Sequence, residues 1–367
     1  MERGKKNKSM RATGENACFA ASNGKKGFQS YYAEIFDRKE IKRVYAIKGG
    51  PGTGKSRFLR DVLIFGEGLG WRAETVYCSS DPDSLDGVIL WKDGHGIALL
   101  DATLPHAYEP TLPGTREEIV NLGDFWSAEL LEAHTEEIAE LNRLKSDGYR
   151  RAYRYLSTYG EVSANRESLI RPCLRTHAAK ELAARLTNSI PVGTAFLPQT
   201  ALMRSVGMRG SVSLDTYFAN AKSILLIEDY HGAGYCLLEE IYRCLSEKRL
   251  RVRVSRDPIL PERVDALFLP DVGCSFAVAS VEECAYPFRK IHTRRLMDAA
   301  RLKKCRADVR YAERMCEALL SGAITELDGV RELHFALEEL YSSSMDFARK
   351  EAFTRAFCER IFCLQNE

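Results

Sequence analysis

Apolar residues Val44 to Ile47 form a short run, followed by a glycine-rich turn and then by Phe58, Leu59, Val62 and Phe65 at i, i+1, i+4, i+7. That order predicts a strand, a turn and an amphipathic helix. Gly66, Gly68 and Gly70 stop the helix, and WRAETVYC predicts the next strand. Strand–loop–helix–strand opens an α/β unit with a parallel sheet. GIALLDATLPH reads as a buried strand ending at Asp101. Residues 115–187 carry no strand pattern and read as several helices, and 315–367 is helical in pattern too.

The same order returns farther along. SILLIE (Ser223–Glu228) predicts a strand, DYHGAGYC a turn, LLEEIYRCL a helix, and RVRVS and SFAVAS two further strands. Gly52 and Gly54 match Gly232 and Gly234 at an offset of 180. Asp81-Pro82 matches Asp257-Pro258 (176), Asp86 matches Asp265 (179), Ala107-Tyr108 matches Ala285-Tyr286 (178), and SNGKKG matches SVGMRG (183). Five matches in order imply a tandem duplication of an α/β domain. The expected boundary lies near Ser189–Thr194, giving domains 1–190 and 191–367, each with a helical extension.

Composition narrows the class. There are 53 Lys+Arg against 51 Asp+Glu, so net charge carries no message, and no apolar run approaches the ~18–20 residues of a membrane helix. The start, MERGKKNKSMRATGENA, has no apolar h-region, so no secretory signal is expected. Eleven cysteines without a CxxC pair point to reduced thiols rather than a disulfide frame or zinc site. A soluble cytoplasmic protein with no membrane partner is the expectation.

The chemistry concentrates in Gly49-Gly50-Pro51-Gly52-Thr53-Gly54-Lys55-Ser56, which fits G-x-x-x-x-G-K-[ST]. Glycines let successive N–H groups face phosphates, and the helix opening at Gly54 adds its positive dipole end. Lys55 is suited to the β/γ-phosphates and the Ser56 hydroxyl to Mg²⁺. A carboxylate at a neighbouring strand end completes a metal site. Asp101 is the candidate, against a plain strand-end turn aspartate. Asp229 in SILLIEDY is the rival, but the repeat aligns its strand with the one before the loop. Ala102 follows Asp101, so the usual hydrolytic base is missing there. Asp81, Asp83 and Asp86 in CSSDPDSLDG read either as a substrate, water or metal loop or as an acidic turn capping a helix. His106 is a candidate base near neutral pH, or a structural histidine.

In the second copy Asp229 replaces Gly49, Tyr235 replaces Lys55 and Cys236 replaces Ser56, while Ser280 and Cys284 align with Asp101 and His106. The apolar frame persists, Phe58 matching Leu238 and Phe65 matching Leu245. Cation, hydroxyl and carboxylate go together, as parts of one phosphate–Mg²⁺ site do. Asp229 would repel a phosphate. The second copy is expected not to bind nucleotide.

GGPGTGKS with its flanking elements resembles the P-loop NTPases. Together with CSSDPDSLDG, LLDATLPH and NLGDFW it resembles a bacterial family of tandem P-loop ATPase-like proteins over nearly the whole chain. The resemblance implies ATP binding at Gly49–Ser56 and a two-domain layout with a second P-loop, which here is degenerate; with the metal ligands read above, the expected ligand is ATP (or GTP) with Mg²⁺. Three functions stay open: an ATPase or switch with an inactive second domain, a small-molecule or nucleotide kinase, and a nucleotide-gated nucleic-acid binder. For the third, Arg289 to Arg314 holds ten Lys/Arg against Asp298, Asp308 and Glu313, a net +7 that reads as a basic helix for an acidic partner or as a solvated helix face.

Overall fold

The computed structural model describes residues 8–10, 16–106 and 108–363. The readings above on residues 1–7, 11–15, Ala107 and 364–367 lie outside them. In the first copy the strands are β1 (Lys8–Met10), β2 (Cys18–Phe19), β3 (Ala21–Gly24), β4 (Gly27–Ser30), β5 (Ile41–Lys48), β6 (Arg72–Tyr77), β7 (Leu85–Lys92), β8 (His95–Asp101) and β9 (Glu117–Asn121). Its helices are α1 (Tyr32–Phe36), α2 (Lys55–Gly68), α3 (Ala128–Glu132), α4 (Thr135–Ile170) and α5 (Thr176–Thr187). The second copy supplies β10 (Leu197–Thr200), β11 (Arg204–Gly207), β12 (Gly210–Leu214), β13 (Ser223–Glu228), β14 (Arg251–Arg256), β15 (Val264–Leu269), β16 (Cys274–Val278) and β17 (Arg289–His292). With them come α6 (Thr216–Ala219), α7 (Ala233–Glu247), α8 (Ala299–Ser343) and α9 (Phe347–Cys363).

Two six-stranded sheets repeat one topology. The first runs β2-β6-β7-β8-β5-β9 and the second β10-β14-β15-β16-β13-β17. In each, one strand (β7 or β15) runs antiparallel to both neighbours, and the remaining pairs are parallel. The sheets are therefore mixed, which corrects the expectation of a parallel sheet. β7 is hard to read as a strand because Asp86-Gly87 looks like a turn signal, and β15 also carries an acid near its start, Asp265. Both are in fact buried along most of their length. Residues 115–187 also contain a strand, β9. It is a charged edge element whose Glu117 is buried by an Arg116 ion pair.

The described chain divides into two compact units that are not the consecutive halves 1–190 and 191–367. One consists of Thr13–Ala21, Ser30–Arg151 and Glu326–Glu367; the other of Met1–Ala12, Ser22–Gln29 and Ala152–Thr325. Each unit thus carries the sheet of one copy and the last helix of the other. In the first, Phe357 of α9 packs on Phe58 of α2 and Tyr45 of β5. In the second, Ala179, Leu182 and Ala183 of α5 join Leu237, Leu238 and Ile241 of α7 in one core. The apolar faces of α5 and α9 are legible in the sequence, but the sheet that each covers is not.

Candidate functional site

β5 lies between β8 and β9, buried at Val44–Ile47, and delivers the chain into the glycine loop. Gly52 and Gly54 have φ of 70° and 77°, in the left-handed region that glycine reaches without strain. A Cβ at Gly52 would overlap the Glu338 carbonyl oxygen on α8. The loop's outer side is therefore packed by helix backbone. Gly54 is the N-cap of α2 and carries no side-chain cap.

The Lys55 ammonium donates to the carbonyls of Gly49 and Gly50 at 3.0 and 2.8 Å and stands 3.6 Å from Asp101 Oδ2. Strand register accounts for that neighbour, since Asp101 pairs with Ile47 at the end of β5. Asp101 Oδ1 accepts from the Thr103 N–H and hydroxyl, at 2.9 and 2.5 Å. The Ser56 hydroxyl accepts the Leu85 N–H at 2.9 Å, and Thr53 donates to the Gly50 carbonyl. A cavity of about 410 Å³ opens beside Gly49, lined also by Lys48, Thr103, Asn121 and Trp126.

Sequence reasoning missed a second ring of charge around this loop. Lys350 of α9 is 2% exposed and donates to the Gly54 carbonyl at 3.2 Å; burial pulls its ammonium pKa down. Burial likewise lowers Lys145 of α4, whose Nζ lies 3.2 Å from His334 Nδ1. Glu338 is held below the usual carboxylate range, first by its hydrogen bond to His334 and then, against burial, by His334, Lys55 and Lys145. No local motif marks these residues. The only signal is a lysine on an otherwise buried helix stripe.

The three aspartates of CSSDPDSLDG separate. Asp81 is half-buried with its carbonyl accepting Ser84 N–H, and Asp83 is exposed with its carbonyl bonded by Arg60. Asp86 alone turns inward, on β7, where its Oδ2 is 3.3 Å from His106 Nε2. Tyr32 stacks on the His106 ring at 5.0 Å. Burial raises the Asp86 pKa, with His106 opposing and Asp101 adding to the rise; burial and then Asp86 push the Cys78 thiol well up.

In the second copy β13 takes the place of β5, so Asp229 stands at the start of the degenerate loop rather than at a metal-binding strand end. Its carboxylate accepts the N–H groups of Gly232 and Gly234 at 2.9 and 2.8 Å. The loop's own carboxylate thus takes N–H groups at the start of α7. Tyr235, in the place of Lys55, is covered by the Arg263 guanidinium at 4.5 Å.

Backbone register also corrects three equivalences. Cys78 N–H bonds Ser84 O as Asp257 N–H bonds Arg263 O, so Asp257 is the counterpart of Cys78, not of Asp81. Gly87 pairs with Leu100 as Ala266 pairs with Ala277, which makes Val278 the counterpart of Asp101. His106 N–H bonds Thr103 O as Glu283 N–H bonds Ser280 O, so His106 answers to Glu283. The sequence matches to Ser280 and Cys284 are one or two residues out of register.

Between Arg289 and Arg314 the chain is not one helix. It runs through β17, a 3₁₀ turn at Arg294–Leu296 and the start of α8, and nine of its ten cations are exposed, Lys290 being half-buried. Among the described residues no helix is long and apolar enough to cross a membrane. Protein-family models, curated proteins and solved structures contain no match to this chain.

Proposed function

We propose that the chain binds one Mg-ATP or Mg-GTP, at Gly49–Ser56, and that the second copy binds none. One observation carries this reading: Lys55, at the first residue of a helix with no side-chain cap, stands 3.6 Å from the buried strand-end carboxylate of Asp101, on a loop whose duplicate holds its own Asp229 carboxylate. Lys55 exchanges its carbonyl bonds for phosphate oxygens, and the loop N–H groups orient them. Ser56 and Asp101 Oδ2 suit Mg²⁺, because Thr103 occupies only Oδ1. Bound Mg²⁺ neutralises phosphate charge. Ala102, not an acid, follows Asp101, and His106 faces Asp86, so slow turnover is the expected basal behaviour.

Calorimetry tests the reading, with one site per chain and no detectable binding in Lys55→Ala as the expected result. Two equivalent sites, or unchanged affinity in Lys55→Ala, would sink it. The exposed basic segment favours a second reading, in which an acidic polymer binds the second unit. Arg294→Gln/Arg295→Gln should then weaken single-stranded nucleic acid binding a few-fold, and less as salt rises, since the Debye length is about 10 Å at 0.1 M. Wild-type affinity in that variant at low salt excludes the second reading.

A further inference from the structure

Among the described residues one group of potential metal ligands is gathered by the fold. Cys78 at the end of β6, Asp86 on β7 and His106 after β8 bring Sγ, a carboxylate oxygen and an imidazole nitrogen within 4.8 Å of one another. Asp86 lies on β7, while Cys78 directly follows β6 and His106 lies in the turn after β8, so three neighbouring strands of one sheet deliver the ligands to the same edge. Asp86 and His106 are buried, and the Tyr32 ring fixes the imidazole plane. Ligand atoms in a tetrahedral zinc site are about 3.3–3.8 Å apart, from bonds of about 2.0–2.3 Å. The Asp86–His106 separation of 3.3 Å already meets that spacing, and a small closure brings in the thiol.

The second copy indicates what this cluster lacks. At the same three positions it has Asp257, Asp265 and Glu283. There the acids meet a cation, for Arg204 reaches the buried Asp265 at 3.1 Å and the half-buried Glu283 at 2.7 Å. Arg204 sits at the head of β11. Because Leu214 N–H bonds Met203 O as Tyr31 N–H bonds Ala20 O, its counterpart in the first copy is Ala21. The first copy has thus lost the guanidinium while retaining a buried acid, and it carries a thiol and an imidazole in place of two carboxylates. In the first copy the buried Asp86 carboxylate faces the His106 imidazole and the Cys78 thiol where the second copy sets a guanidinium. A cysteine, a histidine and an aspartate suit a borderline-soft divalent ion better than Mg²⁺.

We propose that Cys78, Asp86 and His106 form a Zn²⁺ site in the first unit, filling the place that Arg204 takes in the second. Binding releases the Cys78 thiol proton and forms a thiolate–metal bond. Three protein ligands leave a fourth position for water. The proposal does not rest on nucleotide binding.

Cobalt(II) tests it on the full metal-free chain. One Co²⁺ should bind with a thiolate-to-cobalt charge-transfer band that Cys78→Ser removes. His106→Ala and Ala21→Arg, the latter importing the second copy's cation, should weaken binding by more than about tenfold. Lys55→Ala should leave the cobalt spectrum unchanged, which separates failure of this site from failure of the nucleotide site. A measurement on the unaltered chain guards against misfolded variants: Zn²⁺ should slow alkylation of Cys78 at least tenfold, read by peptide mass spectrometry. A charge-transfer band that persists in folded Cys78→Ser, or Cys78 alkylating equally fast with and without Zn²⁺, overturns the proposal.

Discussion

The two sheets differ in nothing that topology records, yet their loops have opposite chemistry. Both place a strand, a glycine turn and a helix at the same point of the same strand order. The first loop begins with glycine and supplies Lys55. The second begins with Asp229, which takes two of its own N–H groups, and places a half-buried Tyr235 where the lysine would stand. One strand–turn–helix frame is therefore common to both copies, while the chemistry at its turn is set by a few side chains. The second copy carries its own charges at both places, Asp229 at the loop and Arg204 beside Asp265 and Glu283.

The largest expected effect breaks the comparison at the level of folding. Because α9 covers α2 and β5 in the first unit, the fragment 1–190 lacks the helix that buries Phe58 and Tyr45. Exposing that face forfeits roughly 1.5–3 kcal/mol for each large apolar side chain uncovered. We expect the fragment to be aggregated or molten by near-ultraviolet circular dichroism, and a chain joining residues 13–151 to 326–363 to recover sharp unfolding. A cooperatively folded 1–190 fragment would show that the exchange of α5 and α9 is dispensable.

Next in size is the glycine contrast. Gly52→Ala meets both a φ of 70° and the Glu338 backbone, whereas Gly232, at φ 91°, has nothing within 4 Å of a new Cβ. Left-handed strain costs about 1–2 kcal/mol in either place. Overpacking adds about 1–3 kcal/mol at Gly52 alone. Denaturant unfolding should therefore rank Gly52→Ala well below Gly232→Ala. Equal losses would mean that the α8 turn yields and that the first loop is no tighter than the second.

Legibility in the sequence follows the same division between local and non-local. β5, the loop and α2 are readable because period, glycine spacing and the lysine all lie within about 25 residues, and β13–α7 is readable by repetition. β7 is hidden because its first residues, Leu85-Asp86-Gly87, place a buried acid and a glycine where strands usually show neither. β9 and β17, EEIVN and RKIH, are half-exposed edges whose charges mask a short alternation. Letter matches locate the duplication but not its register, which depends on strand pairing. Lys145, Lys350 and Glu338 reach the loop from distant helices, so no local pattern points to them.

The smallest expected effect concerns Asp257, the second copy's answer to Cys78. Burial pushes its pKa up to about 6, with Asp265 adding to the rise while the Leu260 and Ile259 N–H groups and Arg204 oppose it. A raised acid holds its proton more tightly in the folded state. Its stabilisation is therefore full below the unfolded pKa of about 4 and is lost as pH rises toward 6. A rise from about 4 to about 6 corresponds to a loss of about 3 kcal/mol, constant above that window. Asp257→Asn removes the titration, and its amide oxygen can still accept the Ile259 and Leu260 N–H groups that Asp257 holds at 2.9 Å. The variant should match the wild type near pH 4 and exceed it by up to about 3 kcal/mol at pH 7. Hydrogen exchange in β14 and β15 reads that difference within the second unit rather than over the whole chain. A variant that loses protection at pH 7 would mean that Arg204 needs the Asp257 charge, and that the second copy's acids form a balanced ion cluster rather than carrying a buried surplus.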